Sequence, residues 1–164
     1  LDVMTAFHEY RHLLDYLMFL ETVFKQDTEE LKHSPLYITF NVYSEYNATA
    51  FGLKQYIEIV KFDDLDKHDI ANMILNKAKE TYWNLQGINN RYQLLVHSMQ
   101  YLGNIVACIP YIKDIDLKKN INDMELSKEL IPVINHILAF QDTTIWYTDL
   151  NFIMRNFVDG GVVI

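Results

Sequence analysis

A chain of 164 residues, half of them hydrophobic and 22% charged, can fill one domain with a substantial core and is not the composition of a disordered chain. Its formal net charge of −8 argues against nucleic acid or anionic membrane as the main partner, because both select basic surfaces. A single cysteine, Cys108, excludes a disulfide framework within the chain and a four-thiolate zinc site, and it favours a reducing, cytoplasmic setting.

Residues 1–25 are predicted to form a long helix, with Val3, Phe7, Leu14, Leu17, Met18 and Phe24 at helical spacing. Within it lies His8-Glu9-Tyr10-Arg11-His12, an HExxH pentapeptide. Residues four apart share a helix face, so both imidazoles reach one metal ion, and Glu9 beside them has the chemistry to take a proton from a metal-activated water. Arg11 departs from the common zinc-peptidase pattern, which prefers an uncharged residue there; an arginine pointing away from the metal is accommodated.

Residues 27–34 are polar and end at Pro35, a loop. Residues 36–40 are β-branched and aromatic, and read either as a short extended piece or as the lead into the next helix. A second helix is predicted over residues 41–60, ended by a turn at Phe62-Asp63-Asp64. Asn47-Ala48-Thr49 matches a glycosylation sequon, but its place in this helix makes it a coincidence. A third helix, capped by Asp66 or Asp69, runs to about Leu85, before a break at Gly87-Ile88-Asn89-Asn90.

A fourth helix covers residues 92–109 and stops near Pro110. It carries no formal charge, yet Gln93, His97, Ser98, Gln100 and Asn104 make it too polar for a lipid-facing span, so it is expected to be a buried central helix. Two shorter helices follow, over residues 125–140 and 143–157, with Pro132 setting the true start of the first or kinking it. The expected fold class is therefore mainly α with little or no β. One domain spans residues 1–164, with metal-site helices in 1–60 and a helical remainder in 61–164.

A catalytic zinc needs a third protein ligand and an open position for water. Asp15 lies three residues past His12 on nearly the same face, and a role behind the ligands suits it better than direct ligation. His33, in the polar loop, is a second candidate. Glu45 is favoured, because Glu45, Ala48, Thr49 and Gly52 fall at i, i+3, i+4 and i+7. Such a stripe of small residues lets a second helix approach closely, toward the short end of the usual ~8–10 Å interaxial range. Tyr43, Tyr46 and Tyr56 are near enough in sequence to offer an oxyanion donor, and His97 is another candidate. His68 and His136 read as surface or packing residues.

The segment Phe7-His8-Glu9-Tyr10-Arg11-His12 followed by Tyr43-Ser44-Glu45-Tyr46-Asn47-Ala48 resembles the gluzincin-type zincin metallopeptidases and is similar to ImmA/IrrE-like bacterial domains. The resemblance covers about the first third of the chain. It implies a zincin-like helical core, His8, His12 and Glu45 as zinc ligands, Glu9 as general base and a protein or peptide substrate. It also implies cleavage of a repressor-type protein. The high use of Ile, Asn, Lys and Tyr suits a low-GC bacterial or phage genome. Such folds place a small sheet before the motif helix, whereas here the motif follows Leu1 by only seven residues. The chain is accordingly expected to be part of a longer protein or to lack its N-terminal part. The alternative function is a non-catalytic helical interaction module. The two readings differ in whether His8, His12 and Glu45 converge and whether a cleft opens beside them.

Overall fold

The computed structural model describes residues 2–21, 29–30, 36–61, 64–84, 90–113 and 120. Four helices dominate them: α1 (Val3–Phe19), α2 (Leu36–Ile59), α3 (Lys67–Asn84) and α4 (Arg91–Cys108). No strand is found among the described residues, and the mainly α class holds. The predicted helices over residues 125–140 and 143–157, together with His33 and His136, lie outside the described residues.

Three of the four helix starts have a local capping cause. Asp2 caps α1 by accepting the Thr5 N–H at 2.8 Å, and Asn90 caps α4 by accepting the Gln93 N–H at 3.1 Å. Of the two candidate caps for α3, Asp66 takes the role, accepting the Asp69 N–H at 2.9 Å. The α2 helix begins at Leu36, so the β-branched and aromatic run over residues 36–40 leads into the helix rather than forming an extended piece. Packing decides this against local preference: Thr39 is fully buried and Phe40 nearly so, its ring 4.7 Å from that of Phe19. Regular α1 ends at Phe19 and passes into a wider turn at Leu20 and Glu21; the remainder of the predicted helix, up to position 25, lies outside the described residues.

The hub is α2, packed against both α1 and α4, with α3 leaning mainly on α4. Ile57, Leu95, Leu102 and Ile105 are fully buried between them, each contributing about 1.5–3 kcal/mol relative to exposure. Two glycines set how closely the helices approach. A Cβ at Gly52 would stand 3.1 Å from the His8 amide nitrogen and 3.1 Å from the Met4 carbonyl oxygen, so α1 lies directly on it. A Cβ at Gly103 would come within 2.8 Å of the Tyr46 carbonyl oxygen, bringing α4 equally close to the other side of α2. The small-residue stripe thus does what its spacing predicts.

One expectation about α1 is reversed. Val3, Leu17 and Met18, assigned to its apolar face, are exposed. The stripe turned toward α2 is His8, His12, Asp15 and Phe19, at i, i+4, i+7 and i+11. Asp15 is only 3% exposed. A helix that buries polar side chains while leaving leucine in water is not arranged for packing alone. Cys108 is wholly buried, its thiol donating to the Ala71 carbonyl, and burial pushes its pKa up to about 12. No helix among the described residues is long and apolar enough to cross a membrane.

Candidate metal centre

His8 and His12 stand one turn apart on α1 and Glu45 faces them from α2. The two Nε2 atoms are 2.9 Å apart. His8 Nε2 is 3.8 Å from Glu45 Oε2, and His12 Nε2 is 3.7 Å from Glu45 Oε1. The three side chains are half-buried. Glu45 owes its reach to the seam beneath it, where buried Ala48 and Gly52 let α2 settle onto the α1 backbone.

The donor set and spacing fit a small divalent cation. Around a tetrahedral zinc with bonds of about 2.0–2.1 Å, ligand atoms stand roughly 3.3 Å apart. The observed separations of 2.9, 3.7 and 3.8 Å, the last two to different oxygens of Glu45, lie on either side of that value. His8 is held below its ordinary pKa, first by burial and then by the neighbouring His12, against the opposing pull of Glu45 and Glu9. That favours the neutral imidazole a metal requires.

A second layer of side chains grips these groups. Ser44 Oγ lies 2.7 Å from His12 Nδ1 and donates to Asp15 Oδ2 at 3.3 Å. Asp15 also accepts from Arg11 Nε at 2.8 Å and from the Asn47 amide at 3.5 Å. Burial raises the Asp15 pKa, while Arg11, Ser44 and Asn47 work in the opposite direction. Asn47, the sequon residue, thus has its amide turned to Asp15. Arg11 points away from the ligand atoms, with its guanidinium over the Phe51 ring at 5.9 Å. From α4, Gln100 Nε2 donates to Glu45 Oε2 at 2.8 Å, and Gln100 Oε1 lies 3.1 Å from His97 Nδ1.

A cleft of about 590 Å³ opens on one side of the ligands, walled by Leu13, Tyr16, Tyr37, Phe40 and Asn41. A second hollow of about 400 Å³, lined by Thr5, Thr49, Gln100 and Asn104, opens on the other. Glu9 is exposed and borders both, as does His8. The oxyanion candidates read from sequence lie elsewhere. None of Tyr43, Tyr46 and Tyr56 lines the cleft. Tyr43 and Tyr46 face each other with ring centroids 6.0 Å apart. Burial pushes Tyr46 up to about 12, and Tyr56 packs against the Leu53–Ile57 side of the core. His97 lines a different hollow and reaches Glu45 only through Gln100. Among the described residues, Tyr16 and Tyr37 are the tyrosines that line the cleft beside these three side chains.

Sequence reasoning passed over Ser44 and Gln100. Ser44 had a signal, since it sits one turn before Ala48 on the same stripe. Gln100 had none, because its contact with Glu45 spans 55 residues of chain. Asp69 and His68, with Asp66, form another group of potential ligands, exposed at the start of α3. Compared with protein-family models, curated proteins and solved structures, the chain matches none.

Proposed function

We propose that the chain is a zinc-dependent metallopeptidase, with His8, His12 and Glu45 holding the metal and Glu9 acting as general base. The observation that carries this reading is the convergence of three side chains from two helices beside a cleft, the two imidazole nitrogens 2.9 Å apart and each 3.7–3.8 Å from an oxygen of Glu45. When bound, zinc supplies Lewis acidity toward water and a scissile carbonyl near neutral pH. Glu9, exposed beside His8, takes a proton from the attacking water and passes it to the leaving amine. Tyr16 or Tyr37 offers the hydroxyl that steadies the developing oxyanion. Leu13, Tyr16, Tyr37 and Phe40 give the cleft an apolar wall suited to a substrate side chain. The volume, about 590 Å³, suits a few residues of a peptide or an unfolded protein segment. A zincin-like assignment of the ImmA/IrrE kind, a bacterial source and a cytoplasmic site of action accord with the motif, the composition and the single free cysteine. Cleavage of a repressor-type protein belongs to the same proposal, by analogy with that kind.

A second reading has its own support. Tyr10, Leu13 and Leu17 form an exposed apolar row on α1, which suits a non-catalytic interaction module holding its metal for structure. The variant Glu9→Gln separates the two. In a metallopeptidase it keeps its zinc and loses about 10²–10⁴-fold in hydrolysis of an unstructured protein substrate. Equal turnover by variant and wild type removes Glu9 from the base role, and no turnover by either favours the interaction module.

A further inference from the structure

We infer that Ser44 is a positioning residue whose hydroxyl, oriented by Asp15, fixes His12 in the tautomer protonated on Nδ1 and turns its Nε2 lone pair toward His8 and Glu45. The inference rests on the metal-site reading above for its purpose, though not for its geometry.

A serine hydroxyl has one proton to give. Ser44 gives it to Asp15 Oδ2 at 3.3 Å, because an ionised carboxylate only accepts. His12 Nδ1, 2.7 Å from the same oxygen, is therefore the donor in that contact. In a neutral imidazole the other nitrogen then carries the lone pair, which is the state a metal ligand needs. Asp15 is fixed in its turn. It is 3% exposed and takes hydrogen bonds from Arg11, Asn47 and Ser44. Arg11, the residue that departs from the usual zinc-peptidase pattern, thus anchors the carboxylate that orients the serine.

His8 has a matching arrangement. Its Nε2 is likewise aimed at His12 and Glu45. The two Nε2 atoms stand 2.9 Å apart beside a carboxylate, a spacing that calls for a shared proton or a metal ion between them. Serine at position 44 makes the His12 half of that arrangement obligatory.

The test is made on the full chain. Long-range ¹⁵N–¹H spectra of the metal-free protein near neutral pH report the tautomer of His12, and competition against a chromophoric chelator reports zinc affinity. Wild type is expected to show His12 protonated on Nδ1. Ser44→Ala is expected to lose that tautomer and to bind zinc about 10–100-fold more weakly, with helix content by circular dichroism unchanged. Ser44→Thr, which restores the hydroxyl, is expected to recover both readouts. Zinc affinity in Ser44→Ala within about twofold of wild type overturns the inference, as does His12 protonated on Nε2 in wild type. Should wild type bind no zinc, the proposed function falls, while the tautomer spectra still decide the role of Ser44.

Discussion

His8, His12 and Glu45 come from two helices and sit half-buried, whereas Asp66, His68 and Asp69 occupy one exposed turn at the start of α3. Both groups bring three ligand atoms within reach of one ion. In the first, ligand side chains are gripped from behind: His12 by Ser44, Glu45 by Gln100 and, at one remove, Ser44 by Asp15. In the second, Asp66 is occupied in capping the helix through the Asp69 N–H, and His68 and Asp69 remain about half exposed with 3.6 Å between them. Proximity alone therefore does not make a metal site. Burial and several supporting hydrogen bonds distinguish the first group, whereas in the exposed α3 turn only the Asn72 amide, 3.2 Å from His68, plays such a part among the described residues.

That contrast can be broken by experiment, most forcefully at the histidines. His8→Ala is expected to abolish zinc binding and His68→Ala to leave it intact, as read by metal analysis after reconstitution and desalting. Equal losses in the two variants would erase the distinction. A smaller effect is expected at the seam beneath the first cluster. Gly52→Val drives a branched side chain against the α1 backbone at His8 and Met4, and should cost about 1–3 kcal/mol of stability in a urea titration while weakening zinc binding. An unchanged titration midpoint would mean that α1 shifts freely and that the close approach matters little. The smallest effect belongs to the exposed turn. Asp66→Ala removes the cap of α3 and should cost about 1 kcal/mol of stability without touching metal content. Zinc lost in that variant would show that the α3 turn, not the α1–α2 seam, holds the ion.

Much of this was readable in the sequence because it depends on local spacing. The HExxH face of α1 and the stripe Glu45, Ala48, Thr49 and Gly52 on α2 are periodic patterns, and they locate the three converging side chains. The bounds of α3 and α4 and the end of α2 followed from capping residues and from proline and glycine breaks, whereas α2 begins at Leu36, ahead of the predicted position 41. Failures came where distant contacts decide. Leu17 and Met18 looked like core residues, yet α1 turns its ligand-bearing face inward and leaves them in solvent. Residues 36–40, open on sequence between an extended piece and the lead into a helix, became helix under burial of Thr39 and Phe40. Ser44 and Asp15 are joined across 29 residues, and Glu45 and Gln100 across 55. No local pattern announces such pairs. The tyrosine candidates failed for a related reason: nearness in sequence to Glu45 placed Tyr43 and Tyr46 on other faces of the same helix, while Tyr16 and Tyr37 reached the cleft.

The central claim is that His8, His12 and Glu45 together bind one metal ion. Zinc stoichiometry, measured side by side on wild type and Glu45→Ala after reconstitution and desalting, tests it most directly. The account predicts about one zinc per wild-type chain and background levels in the variant. A wild-type chain that retains no zinc, or a variant that retains as much as wild type, would contradict it.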